Sequence, residues 1–474
     1  REAPQPTGDT LLQMGRWFGY RPGYEDMPRI WMTDSLSTAF RSLALIGGFA
    51  LSPVRAAQPL ELVACPAAVA DVTCYRGQDD NGSYILAGVP KAWDGVLVVH
   101  AHGGPRLAPI TADYSSKDFE RFSEFVRDGH AFVAASYRRP GYGARMAAED
   151  IENARKAFVA KFGKPRRTIM HGQSWGGDVG ARVIELYAVA PDGARNYDGA
   201  LLTSGVIAGG TRTYNPRIDL RALFQYYCHS LPKPDEPQYD LGIGLPADSK
   251  LNQKELRARF DACTGDNLAA AQRSPEQSRA LSEMAALTRI PERALFSHLS
   301  WATFLFRDIA THITGGKSPF GNVGVVYRGS SDDDRLNREV PRVRADPQAR
   351  ALLAYDSDPT GQIAIPVLTL HAIDDPTAAV ENEAAYRDTV EHAGNARLLV
   401  QTFAREHVHS KLSSPLYPAE LDALLAWIDK GERPTPQAVL DRCHAKQQAF
   451  PGDCTIDPAY QVAPFLSRSW PRTP

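Results

Sequence analysis

The chain has 474 residues, 43% of them apolar and 23% charged, with a formal net charge of -2. That balance excludes a largely disordered chain, which would lack the apolar residues to bury a core, and it excludes a strongly basic nucleic-acid binder. The length exceeds that of one ordinary compact domain and leaves room for a single α/β core carrying a large insertion and non-globular ends.

Residues 9 to 32 are dense in aromatic residues, Gly and Arg. Within them the string QMGRWFGYRPGY resembles the signature of an endonuclease-type domain associated with restriction-type helicases. The resemblance covers only that stretch and brings no catalytic carboxylates of its own, so residues 1–31 read as an out-of-place leader. From Met32 the pattern changes: one basic residue, Arg41, precedes an apolar run from Leu43 to Leu51 and then small residues. This is the layout of a secretory signal peptide over 32–56, with cleavage expected after Ala56, and the run is too short to span a membrane. A secreted or periplasmic location is expected.

Short apolar runs bounded by Gly, Pro and Asp at 84–89 and 96–101 predict buried strands. The second runs into His100-Ala101-His102-Gly103-Gly104-Pro105, which admits two chemistries. His100 and His102 could ligate a metal, or Gly103 and Gly104 could form a turn whose N–H groups hold an oxyanion. A strand at 130–137, a helix from about 146 to 162, the strand RTIMHG, a helix over 175–187 and the strand GALLTSG follow. Strands alternating with helices predict a mostly parallel sheet flanked by helices.

Between RTIMHG and its helix, Gly172-Gln173-Ser174-Trp175-Gly176 matches G-x-S-x-G in a strand–turn–helix context. A serine on so sharp a turn stands above the sheet, and glycines flank it because side chains there would collide with strand and helix. Ser174 is the candidate nucleophile. A hydroxyl needs a base to take its proton, so a histidine and an orienting carboxylate must lie further along.

From about 208 to 352 the alternation gives way to helical segments such as SPEQSRALSEMAALTRI, joined by Pro- and Asp-rich stretches. This predicts a helical cap inserted between two core parts, 57–207 and 353–432. The second part holds the strand IPVLTLHA, a helix at about 379–392, the strand ARLLVQTFA and a helix at about 418–430. A Pro-rich, polar tail occupies 433–474. The six cysteines fall as neighbouring pairs, Cys65 with Cys74, Cys228 with Cys263, and Cys443 with Cys454. In an exported chain these predict disulfides in sequence order, and the absence of CxxC spacing speaks against zinc or thiol redox chemistry.

Asp374 and Asp375 follow the strand at 365–372, and His407 and His409 follow the strand at 396–404. With the serine elbow, the order Ser, acid, His resembles the α/β-hydrolase family, in particular its secreted esterase and prolyl-oligopeptidase-like members, over about 75–207 and 353–432. Similar members read LHGxxDPVVPVENE where this chain has LHAIDDPTAAVENE. The resemblance therefore implies Asp375, the residue before Pro376, as the acid. It implies His409 as the base, at the position of a GHC or GHS motif. Val408 stands where that motif has glycine, which leaves His407 open as the alternative. It also implies an oxyanion hole made by the N–H groups of Gly103 or Gly104 and of Trp175.

What the resemblance implies is a secreted carboxylic ester hydrolase working through an acyl-enzyme on a small-molecule or polymeric ester, with no metal and no organic cofactor. Aromatic residues of the insertion, Phe224, Tyr226, Tyr227, Trp301 and Phe304, point to a hydrophobic or aromatic ester. A prolyl-oligopeptidase-like serine peptidase would use the same triad. A metal-dependent hydrolase built on His100 and His102 would leave the elbow, Asp375 and the Ser–Asp–His order without a purpose.

Overall fold

The computed structural model describes residues 56–472 except 67, 68 and 70, so the leader and nearly all of the signal-peptide reading lie outside the described residues. Nine strands form one sheet: β1 Gln58–Val63, β2 Val72–Gln78, β3 Tyr84–Pro90, β4 Val96–Ala101, β5 Ala131–Ala135, β6 Arg167–Gln173, β7 Gly199–Thr203, β8 Val367–Ala372 and β9 Leu399–Ala404. The spatial order is β1-β2-β3-β5-β4-β6-β7-β8-β9. From β5 to β9 all neighbours are parallel, while β1, β2 and β3 add an antiparallel edge.

The central strands are apolar on both sides because both faces are covered. Val96 and Val98 of β4 belong to one core cluster, with Phe119, Phe125 and the helix Leu416–Lys430. Leu97 and Val99 belong to the other, with the helices Ala144–Phe162 and Trp175–Tyr187. This is an α/β-hydrolase fold, with helices inserted between β7 and β8. Those helices gather a core of their own around Phe224, Phe260, Met284 and Leu295.

Several elements escape the sequence patterns. β1 is the edge strand and β2 its neighbour, both half-exposed, and their polar residues break any apolar run. The helix Pro436–Lys446 sits inside the Pro-rich, polar tail, started by Thr435, whose hydroxyl accepts from the Ala438 N–H. The last inserted helix, Pro347–Ser357, crosses residue 352 because Asp346 caps it and Pro347 opens it.

Disulfides join Cys65 to Cys74, Cys228 to Cys263 and Cys443 to Cys454, in the expected sequential pairing. Beyond the last of these the tail touches both layers. Ile456 bridges to Ala404 at the end of β9, and the Asp457 N–H donates to Phe403 O. Trp470 then donates its indole N–H to Leu287 O at 2.7 Å, and Arg472 pairs with Asp219 at 2.7 Å, both partners lying on inserted helices.

Candidate active site

The elbow is built by β6 running into the helix Trp175–Tyr187 with Ser174 alone between them. Ser174 has φ 58° and ψ -124°, a backbone state that costs a non-glycine residue roughly 1–3 kcal/mol. Its N–H donates to Thr203 O, and its own carbonyl accepts from Gly177 and Val206, so the turn is tied to β7 and its outgoing loop. The two flanking glycines are dictated by contact. A Cβ on Gly172 would lie 2.1 Å from Gly176 O, and one on Gly176 would lie 2.1 Å from Ala101 O.

β8 delivers the acid and β9 the base. Asp375 Oδ1 accepts the N–H groups of Thr377 and Ala378 at 2.8 and 2.9 Å. Its Oδ2 accepts from His409 Nδ1 at 2.7 Å, and His409 Nε2 stands 2.8 Å from Ser174 Oγ. With the proton on Nδ1, Nε2 is the free acceptor facing the serine hydroxyl. His407 lies elsewhere: it pairs with Asp374 at 2.9 Å, with side chains 76% and 59% exposed. Of the candidate bases and acids, then, His409 and Asp375 meet Ser174, and His407 and Asp374 do not.

Behind Asp375 lies a buried histidine–glutamate pair. His371 Nδ1 stands 3.1 Å from Glu383 and Nε2 donates to Ala378 O at 2.9 Å. Burial opposes its charging, but the Glu383 carboxylate beside it holds the imidazole above its ordinary value. Glu383 also accepts from Thr369 and Gln401, which fixes the loop that carries the acid.

Gly103 and Gly104 border the cavity beside Ser174 and Trp175. Gly103 presses on Gln173, whose side-chain oxygen would be 2.3 Å from an added Cβ, and Gly104 has φ +71°. Trp175 opens its helix, where backbone N–H groups have no intrahelical acceptor. His102 anchors this loop: its Nδ1 bonds Asp118, and its carbonyl accepts from the Tyr137 hydroxyl at 2.9 Å. Burial keeps the His102 imidazole below its ordinary value, so it acts as a neutral donor to Asp118.

His100 takes a different partner. Its Nδ1 meets His171 Nδ1 at 2.9 Å across β4 and β6, both rings wholly buried among Phe122, Phe125 and Phe132. Burial holds His100 down to about 4 and His171 well below its ordinary value, so the pair shares one hydrogen bond as neutral rings. The two histidines of the HAH string therefore address separate partners. Among the described residues, potential metal-ligating side chains converge in threes at Asp128, His130 and Asp422. There the Lys446 ammonium lies 2.8 Å from each of the two carboxylates, where a cation would sit.

The cavity above Ser174 has a volume of about 580 Å³. Its roof comes from the inserted helices, through Tyr214, Arg217, Trp301, Phe304 and Leu305. Trp301–Leu305 is a π-helical turn between two α-helical segments, an arrangement that re-aims side chains. Of the inserted aromatic residues singled out in the sequence, Trp301 and Phe304 line the cavity. Phe224 is instead buried in the helical core, while Tyr226 and Tyr227 pack at its edge, where Tyr227 donates to Glu283. Gln173 and Ser410 escaped the sequence reading: the Gln173 amide donates to Ser410 Oγ at 2.8 Å, linking the elbow to the residue after His409. Gln173 occupies a variable position of its motif, so only spatial contact reveals its part.

The chain is distantly similar to the solved structures of three hydrolases. An esterase from Aspergillus oryzae is 12% identical, with 81% of this chain and 88% of that chain covered and a TM-score of 0.37. Lipase A from Candida antarctica is 12% identical, with 80% and 82% covered and a TM-score of 0.43. Tannin acyl hydrolase from Aspergillus niger is 10% identical, with 80% and 84% covered and a TM-score of 0.39. No curated protein matches the sequence. A family model, the Z1 domain, matches residues 4–48, which include the 9–32 stretch and run past Met32 into the region read as an export signal.

Proposed function

We propose that this protein is a secreted serine hydrolase of carboxylic esters. Ser174 attacks the ester carbonyl while His409 takes its proton; the alcohol leaves with that proton, and the acyl group stays on Ser174 Oγ. A water, deprotonated by His409, then attacks the acyl carbonyl, releasing the acid and returning the proton to Ser174. Asp375 holds the imidazole in the tautomer this needs and offsets its charge. The N–H groups of Gly103 or Gly104 and of Trp175 hold the oxyanion. The observation that carries the reading is the unbroken relay of 2.7 and 2.8 Å contacts from Asp375 through His409 to Ser174, opening on the cavity.

The domain reading goes with it: a leader at 1–31, a signal peptide at 32–56, core parts at 57–207 and 353–432, a cap at 208–352 and a pinned tail at 433–474. Three disulfides among the described residues support passage through an oxidising compartment. The test is labelling with a fluorophosphonate, followed by 4-nitrophenyl esters and proline-linked peptides. Labelling at Ser174 with ester turnover, both lost in Ser174→Ala, is the expected result. Peptide cleavage without ester turnover, or activity retained in Ser174→Ala, would overturn it.

A further inference from the structure

Resting on that reading, we infer that the substrate carries a free carboxylate and that Arg217 is the group that binds it. Arg217 lines the cavity above Ser174 and is only 4% exposed. A buried guanidinium is normally paired with a carboxylate, because leaving its charge in a low-dielectric setting is costly. This one has no such partner among the described residues. Its Nε donates to His298 Nδ1 at 3.3 Å and its Nη1 to Thr213 O at 3.3 Å, both neutral acceptors at long range. Nη2 has no acceptor among the described residues.

His298 cannot supply the missing charge. Its Nε2 donates to Pro376 O at 3.1 Å, leaving Nδ1 as the acceptor for Arg217, and burial holds the imidazole well below its ordinary value. The remaining neighbours are ring faces: Tyr214 at 4.5 Å and Trp301 at 4.9 Å from the guanidinium carbon. They stabilise a cation and fix its plane without neutralising it.

Position adds a further cost. Arg217 is the second residue of the helix Pro216–Cys228, where the aligned backbone dipoles favour an anion and disfavour a cation. Burial draws it down to about 10, which leaves it charged at neutral pH. The residues bordering the cavity include Arg106 and Arg121, both less buried than Arg217, and no Asp or Glu. One buried guanidinium with an unused edge matches one monoanion. Tyr214, Trp301, Phe304 and Leu305 suit an apolar or aromatic body between that anion and the ester carbonyl.

The experiment compares kcat/KM for mono-4-nitrophenyl esters of straight-chain dicarboxylic acids with 4-nitrophenyl esters of monocarboxylic acids of equal carbon count. A second arm compares 4-carboxyphenyl with 4-carbamoylphenyl butanoate, placing the charge on the leaving group. In the wild type at least one charged ester is expected to exceed its neutral partner by about 10- to 100-fold, as charge-assisted hydrogen bonds give. That preference ratio should fall by a similar factor in Arg217→Gln and return in part in Arg217→Lys, with fluorophosphonate labelling of Ser174 reporting that each variant is folded. If every neutral ester is turned over as fast as its charged partner, or the ratio survives in Arg217→Gln, the inference fails while the hydrolase reading stands. If the wild type neither labels nor hydrolyses any ester, the hydrolase reading itself fails. Where Arg217→Gln does not fold, the wild-type ratios still test the charged substrate, and the ratio in Arg217→Lys tests the residue.

Discussion

Replacing Asp375 by Asn changes one atom, yet it should remove nearly all turnover, for a reason visible in the carboxylate's partners. Oδ1 accepts two backbone N–H groups and Oδ2 accepts the His409 Nδ1–H. The amide oxygen of Asn must stay on the two backbone donors. Turning it round would set an NH2 against them and leave both buried donors unpaired, at roughly 1–3 kcal/mol each. The NH2 group therefore faces His409 Nδ1, which becomes the acceptor, and the imidazole proton moves to Nε2, 2.8 Å from Ser174 Oγ. The base then presents a proton where it should receive one. Inverting the tautomer in this way costs about 10⁴-fold in kcat, or about 5.4 kcal/mol of barrier. Stopped-assay kinetics on 4-nitrophenyl butanoate, with circular dichroism melting as the control for folding, should give a fall of that order with little change in Tm. Asp374→Asn, at an exposed carboxylate, should stay within about threefold. A folded Asp375→Asn enzyme that keeps more than a tenth of its kcat would refute the reasoning.

His409→Ala should lose several orders of magnitude in kcat and His407→Ala less than about tenfold, measured side by side on one ester; the reverse ranking would move the base. Gly176→Ala should cost about 3 kcal/mol or more in urea unfolding, because its Cβ would meet two backbone oxygens, Ala101 O at 2.1 Å and His102 O at 2.6 Å. Gly431→Ala, in the left-handed region at φ +74° and ψ 11° with nothing within 4 Å, should cost only about 1–2 kcal/mol, and equal losses at the two sites would contradict the steric account. Glu420 is wholly buried, and burial pushes its carboxyl up to about 8, with one oxygen accepting from Thr402. Because the folded value lies above the unfolded one, its contribution is complete below about pH 4.5 and declines as pH rises through 8. Glu420→Gln should therefore melt progressively higher than the wild type from pH 5 to about pH 8, with the difference levelling off above that, and parallel Tm curves would contradict this.

The sheet was legible because β4, β6, β7, β8 and β9 are short apolar runs separated by helical spacing, and the elbow because G-x-S-x-G has one steric meaning in that context. Asp375 over Asp374 followed from its place before Pro376. His409 over His407 is a matter of reach: β9 ends at Ala404, and the chain must travel to His409, not His407, before a side chain can stand over the elbow. The HAH string left a metal pair open as an alternative, because linear spacing does not show that His100 faces His171 within the core while His102 faces Asp118 in the loop. Arg217 was invisible for a similar reason. Arginine on an amphipathic helix is usually solvated, and only the fold turns this one inward.

The tail beyond Cys454 has a mechanical consequence. The inserted helices leave the sheet at β7 and return at β8, two strands that are themselves neighbours, so on those connections alone the layer could swing about a single hinge line. The tail adds a third attachment away from that line, fixed to β9 at Ile456 and to the inserted helices through Trp470 and Arg472. Three non-collinear attachments define a plane. With the bonds that Asp308 accepts from the Tyr142 N–H and Asp356 from the Ala144 N–H, the tail ties the inserted layer to the sheet at points away from that line, and sheet and roof are expected to melt in a single transition.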